Sequence, residues 1–133
     1  MVYQIASIGS VMMTPFGLKI RELRQTHGIS MAKMASYLNV SSAYLSQLEH
    51  GKRGAPGVIM IDQICALFGL IWEDAEELKT LAALSQPRVV IDTSQLGKDA
   101  MVAANLFGQL LPRVSEEEAR AMAEWMKTRL DQV

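Results

Sequence analysis

Residues 29–53 read ISMAKMASYLNVSSAYLSQLEHGKR, and this stretch decides the fold. Its apolar and small residues have the spacing of two short helices joined by a tight turn: Met34, Ala35, Leu38, Val40, Leu45 and Leu48. Leu38, Leu45 and Leu48 share one face only if the chain changes direction between Leu38 and Ser41. The other side of the second helix is mostly small or polar. A short, polar-faced helix supported by a first helix is the shape that fits a DNA major groove.

Capping residues predict where the other helices begin and end. Thr14-Pro15 indicates an N-cap followed by proline at the first helical position, for a helix that ends near Gly28. Ser30 and Ser41 cap the two helices of the deciding stretch, about 31–38 and 42–50. Further helices are predicted over about 58–68, 72–85 and 97–111, and from Ser115 onward. The predicted class is all-α, with a five-helix domain over 14–85 and a helical extension over 86–133.

Two further segments each allow more than one interpretation. Residues 88–93 read RVVIDT, a β-rich run that predicts either one short strand or an extended connector. A single strand is not stable alone, so a strand here would pair with its copy in a second chain. Residues 1–13 are apolar but show neither helical nor strand periodicity, and they are interpreted as a loose arm.

Composition excludes several classes of protein. The chain has 133 residues, of which 50% are hydrophobic and 20% charged, as expected for a soluble globular protein. Its single cysteine, Cys65, excludes a disulfide framework and is expected to be a buried, inert thiol. Two isolated histidines predict no metal site, and we expect no cofactor. We expect no signal peptide and no membrane-spanning run, so the expected location is the cytoplasm, at the nucleoid.

Charge is divided unevenly along the chain. The net charge is −1, but residues 1–53 carry +4 and residues 54–133 carry −5. A basic N-terminal part and an acidic C-terminal part suit a protein that binds phosphate with the first and has a different role for the second.

The segment LRQTHGISMAKMASYLNVSSAYLSQLEHGKR resembles the Xre-type helix-turn-helix domain of phage lambda repressor and Cro. The resemblance covers roughly residues 16–70. Its markers are Leu23-Arg24, Ile29-Ser30, Ala35, Val40-Ser41, Leu45-Ser46, Leu48-Glu49 and Gly51-Lys52. It implies a five-helix domain that binds double-stranded DNA. Met31 is a departure, because many members of the family carry a phosphate-gripping glutamine there, so the resemblance does not supply that contact.

The resemblance also implies roles for individual residues. Arg24 and Glu49 are spaced to meet between the first and third helices, as a partly buried ion pair. Base edges are expected to be read by Ser42, Ala43, Tyr44 and Gln47. Phosphates are expected to contact Ser30, Lys33, Ser41, His50, Lys52 and Arg53. Glutamine can bind adenine N6 and N7 together, and alanine can touch a thymine methyl group.

The extension over 86–133 matches no motif, and its two amphipathic helices are hard to bury on one small domain. We therefore predict self-association into a homodimer; the alternative is that these helices complete the monomer core. The residues expected at the dimer interface are Val89, Ile91, Leu106, Leu110, Met122, Trp125 and Met126.

The sequence favours a homodimeric, sequence-specific DNA-binding regulator, expected to be a repressor that binds an inverted-repeat operator. The alternative is an antitoxin, or another interaction module of a toxin–antitoxin system, that autoregulates its operon and binds a protein partner through its acidic C-terminal part. An enzyme is not expected, because no paired carboxylates, Ser/His/Asp set or metal-ligand spacing is present.

Overall fold

The computed structural model describes residues 13–133. Over these residues the chain is all-helical, which confirms the predicted class. The helices are α1 (Pro15–His27), α2 (Met31–Leu38), α3 (Ser42–Glu49), α4 (Val58–Phe68), α5 (Trp72–Ala83), α6 (Lys98–Leu110), a 3₁₀ turn (Leu111–Arg113) and α7 (Glu116–Gln132). Apart from Met13, the expected N-terminal arm lies outside the described residues. Every helix over 13–133 is too short or too polar to cross a bilayer.

Four helices, α1, α2, α3 and α7, begin where the capping pattern predicts, and α3, α5 and α6 end one or two residues earlier than predicted. The hydroxyl oxygens of Thr14, Ser30 and Ser41 each accept a hydrogen bond from a backbone N–H in the first turn of the helix that follows. Asn39 closes α2 in the left-handed conformation, at a φ of 59°. Ser115 and Glu118 form the predicted capping box at the start of α7. These local signals fix the turn between α2 and α3, and therefore the direction in which α3 leaves.

One apolar core holds α1 to α5 together. It is built from buried residues on all five helices: Phe16, Ile20, Leu23, Met34, Ala35, Leu38, Leu45, Leu48, Ile61, Ile64, Cys65, Phe68, Leu78 and Ala82. Helix α1 packs against both α3 and α5, and α2 packs against α3 and α4. Burial raises the pKa of the Cys65 thiol, and the nearby negative charge of Asp62 adds to the effect, so this thiol is unreactive.

The chain divides into two compact units between Val89 and Val90. Within the single chain residues 88–93 form neither helix nor strand, as the connector alternative predicts, and pairing of this run with its copy in a second chain stays a prediction. A strand requires a paired backbone, and no other segment of residues 13–133 is in a strand conformation that could pair with it. The second unit contains α6, the 3₁₀ turn and α7, and none of the residues in these three elements is fully buried.

Helices α1 and α3 approach each other closely at Gly17. A Cβ atom added there would overlap the carbonyl oxygen of Glu49 and lie 2.6 Å from its carbonyl carbon and 2.7 Å from its Cα. The same carbonyl accepts a hydrogen bond of 3.2 Å from the backbone N–H of Thr14. The start of α1 therefore fixes the last turn of α3 by direct backbone contact, and only glycine leaves room for it.

An ion pair makes a second connection between these helices. The Glu49 side chain is 1% exposed and that of Arg24 is 12% exposed. Arg24 Nη2 donates to Glu49 Oε2 at 2.9 Å and to Oε1 at 3.3 Å, and Arg24 Nε donates to Oε2 at 3.2 Å. Arg21 Nε lies 3.8 Å from Oε1 and adds a second positive charge. The planar guanidinium matches the carboxylate with several donors, so it fixes geometry as well as charge.

Replacing Gly17 with alanine should destabilise the helical domain by about 3 kcal/mol, because the added methyl group meets backbone that cannot move independently. Gly57→Ala is the matched control: its added Cβ meets nothing within 4 Å, so its effect should stay within about 1 kcal/mol. Urea unfolding followed by circular dichroism measures both. Equal stability of the two variants would contradict the close approach of α1 and α3.

Replacing Arg24 with alanine should lower the free energy of unfolding by about 3–5 kcal/mol, because Glu49 then remains buried without its main partner. Lys19→Ala is the control: Lys19 Nζ lies 3.8 Å from Glu77 Oε1, and the Glu77 side chain is 55% exposed. That surface pair should contribute no more than about 1 kcal/mol. If the two variants unfold at the same urea concentration, the Arg24–Glu49 pair does not hold α3 in place.

Candidate nucleic-acid interface

The two faces of α3 differ sharply in burial. Leu45 and Leu48 are fully buried against the core. The four residues proposed as base readers lie on the other side: Ser42 and Ala43 are exposed, and Tyr44 and Gln47 are half-buried. The exposed side is a short ridge of small and polar groups with the dimensions of a helix that can enter a major groove. We call this ridge, formed by Ser42, Ala43, Tyr44 and Gln47, the α3 face.

Arg53 joins two residues of the α3 face. Its Nε donates to Gln47 Oε1 at 2.8 Å, and its guanidinium carbon lies 5.6 Å from the centroid of the Tyr44 ring. The second contact is within the range of a cation–π interaction. Arg53, which the resemblance assigns to phosphate, therefore lies beside the proposed base readers.

The caps of α2 and α3 each supply a hydroxyl group and a helix N-terminus, and the α3 cap directly precedes the α3 face. The Ser30 hydroxyl oxygen accepts from the Lys33 backbone N–H at 3.0 Å, and that of Ser41 accepts from the Tyr44 N–H at 3.0 Å. Each hydroxyl keeps its own O–H as a donor, and both serines are exposed. Free N–H groups and a helix dipole favour an anion at such positions.

The remaining residues proposed to bind phosphate differ in whether they can donate a hydrogen bond to it. Lys33 and Lys52 are exposed cations. His50 Nδ1 lies 2.8 Å from the Ser46 carbonyl oxygen, so Nδ1 must carry hydrogen and donate. In the neutral ring Nε2 is then an acceptor, and only the imidazolium form can donate from Nε2 to a phosphate. Lys33 and Lys52 are therefore the stronger candidates.

Sequence reasoning missed three features around this site. Gly17 and Arg21 help to hold Glu49 in place, and the contact between Arg53 and Gln47 lies within the α3 face itself. The signal for Gly17 is a glycine two residues into a helix, where alanine has the higher propensity, which indicates a packing reason. Within residues 13–133 no group of three His, Cys, Asp or Glu side chains is placed to hold a metal ion.

The residues predicted at the dimer interface are partly brought together. Met122, Trp125 and Met126 of α7 line one open apolar groove of about 380 Å³, together with Ala121 and Phe107. Phe107 comes from α6 and was not predicted. The other predicted residues do not line the groove but are exposed on α6 and the connector: Val89, Ile91, Leu106 and Leu110.

Comparisons with known proteins agree with this geometry. A family model described as helix-turn-helix matches residues 20–71. Over 62 residues the chain is 37% identical to the uncharacterized HTH-type transcriptional regulator RghRB of Bacillus subtilis (strain 168). Over 61 residues it is 33% identical to the HTH-type transcriptional repressor RghR of the same organism. These matches cover 47% and 46% of this chain and 45% of each relative, so the chain spans about half the length of the relatives that it matches.

The chain is also similar to one chain of the SinR protein/SinI protein complex, with a TM-score of 0.40 and 17% identity. That match covers 87% of this chain and 98% of the other. The family match, the two regulators and the capped α2–turn–α3 geometry confirm the resemblance stated from the sequence. Residues 20–71 are therefore similar to the helix-turn-helix domains of transcriptional regulators.

Proposed function

We propose that this protein is a sequence-specific DNA-binding transcriptional regulator that inserts the α3 face into the major groove. The observation that carries the proposal is the α3 face itself, with the capped N-terminus of α3 and the cation Arg53 beside it. The capped start of α2 and the exposed cations Lys33 and Lys52 are further candidates for phosphate contacts. Phosphate contacts from the caps and cations fix the position of the protein on the duplex, and the side chains of the α3 face read bases. Its place of action is then the nucleoid, in the cytoplasm.

The proposed assembly is a homodimer formed through α6 and α7. No residue of these helices is fully buried in the single chain, although Trp125 is 65% exposed and Leu106 is 58% exposed. A unit of this size needs more apolar burial than that to be stable, and a second copy covering the α6/α7 groove supplies it. Two copies present two α3 helices, which suits an inverted-repeat operator with half-sites about one helical turn apart.

The proposed effect on transcription is repression, by occupying a promoter and excluding polymerase. One relative, RghR, is named a transcriptional repressor, which supports this direction. The alternative occupant of the α6/α7 groove is a different protein, as in an antitoxin that covers its toxin.

Gln47→Ala should weaken operator binding by about 1–3 kcal/mol and relax preference at one base position. Lys52→Ala should weaken binding to operator and random DNA about equally, and reduce the slope of log affinity against log salt by about one. A selection from a random DNA pool provides the operator, and fluorescence anisotropy at several salt concentrations measures both variants. Equal losses on operator and random duplexes for Gln47→Ala would contradict its role as a reader.

Trp125→Glu should convert the dimer to a monomer, because it places a charge in the α6/α7 groove. Glu124→Gln, which neighbours it on exposed α7 but does not line the groove, should leave the dimer intact. Analytical ultracentrifugation gives both masses. A monomeric wild type would contradict the dimer, and a wild type that co-purifies in a defined ratio with a different protein would favour the alternative occupant.

A further inference from the structure

The contact between Arg53 and Gln47 determines which way the Gln47 amide points. A guanidinium group only donates hydrogen bonds, so the Gln47 atom that lies 2.8 Å from Arg53 Nε must be the oxygen. The Nε2 amino group, with its two N–H donors, is then the end of the amide that faces away from Arg53. The chemistry of the partner therefore fixes the orientation of an amide whose two ends have nearly the same shape.

Arg53 is itself held in place by Tyr44. The guanidinium lies over the Tyr44 ring, one helical turn before Gln47 on the same α3 face. Tyr44 and Gln47 are both half-buried, so neither is fully free to choose another rotamer. Exclusion of water when the helix enters a groove strengthens such contacts, because the effective dielectric constant falls. The three side chains therefore reach the DNA as one arranged group.

This arrangement changes which base suits Gln47. Guanine presents two acceptors, N7 and O6, in the major groove, whereas adenine presents one acceptor, N7, and the N6 amino donor. Binding adenine at two points requires the Gln47 oxygen to accept from N6. In this structure one lone pair of that oxygen already accepts from Arg53, so the adenine amino group must share the oxygen with the guanidinium. The positive charge of Arg53 beside the base also repels an amino donor and attracts the two acceptors of guanine.

We propose that Arg53 is a positioning residue that sets the base preference of Gln47 and makes it favour guanine over adenine at one operator position. The inference rests on the proposed function, since it concerns how the α3 face discriminates among DNA sequences. If Arg53 only binds phosphate, its loss should lower the affinity for all DNA sequences by the same factor, because phosphates carry no base identity.

The test compares two duplexes that differ at a single base pair. Random-pool selections with the wild type and with Gln47→Ala locate the position at which only the wild type has a preference. Two duplexes with guanine or adenine at that position are then measured with the wild type, Arg53→Ala, Gln47→Ala and the double variant. Lys52→Ala is the matched control, because Lys52 is the adjacent exposed cation and its side chain makes no hydrogen bond to the described residues.

The wild type should bind the guanine duplex about tenfold more tightly than the adenine duplex, the size of one good base contact. Arg53→Ala should bring this ratio to one or reverse it in favour of adenine, because the Gln47 oxygen is then no longer shared with the guanidinium and the positive charge beside the base is gone. Lys52→Ala should weaken both duplexes and keep the wild-type ratio. In the Gln47→Ala background, removal of Arg53 should no longer change the ratio, because the residue through which it acts is absent.

The results separate failure of this inference from failure of the proposed function. If the wild type prefers guanine and Arg53→Ala shows the same ratio with both duplexes weakened equally, the positioning role is overturned. DNA recognition by the α3 face then remains intact. A wild-type preference for adenine at the Gln47 position also overturns the positioning role. A wild type that enriches no sequence overturns the proposed function, and this inference with it. Since Arg53 is exposed, its removal leaves the fold intact, which circular dichroism verifies.

Discussion

The anchoring of Glu49 at the end of α3 is the constraint on which the rest of the structure depends. Its carboxylate is buried and held by Arg24, and its carbonyl oxygen accepts from the Thr14 N–H beside Gly17. A helix of eight residues is too short to be stable on its own in water. Tertiary contacts at its C-terminal end and the Ser41 cap at its start therefore keep α3 folded and oriented.

This anchoring explains how a small polar ridge can be presented rigidly. The buried side of α3 consists of two leucines and the buried Glu49, so the α3 face on the opposite side contributes little to the packing of the core. Residues such as Ser42, Ala43 and Gln47 can then vary with the DNA to be read while the support underneath stays the same. Arg53 lies just beyond the helix and is not part of the buried support. It contacts the α3 face directly, through Gln47 and Tyr44.

Much of the helical domain could be predicted because its signals are local. Caps at Thr14, Ser30 and Ser41 and the left-handed Asn39 depend only on neighbouring residues. The spacing of Arg24 and Glu49, read through the family resemblance, predicts a contact between residues far apart in sequence, and the structure contains it. The close approach at Gly17 and the Arg53–Gln47 bond could not be predicted, because both depend on how two segments meet in space. Residues 88–93 have β-rich composition but no partner strand within residues 13–133, so composition alone could not decide between a strand and a connector. The roles assigned to base-reading, phosphate-binding and dimer-interface residues stay predictions.

The most direct test of the account is a nuclear magnetic resonance titration of the ¹⁵N-labelled protein with a duplex from the random-pool selection. The account predicts that the largest changes in backbone amide signals fall within residues 41–53, with smaller changes at the start of α2. Largest changes on α5 or α7, with residues 41–53 unaffected, would contradict the claim that α3, anchored through Glu49, is the DNA-reading element.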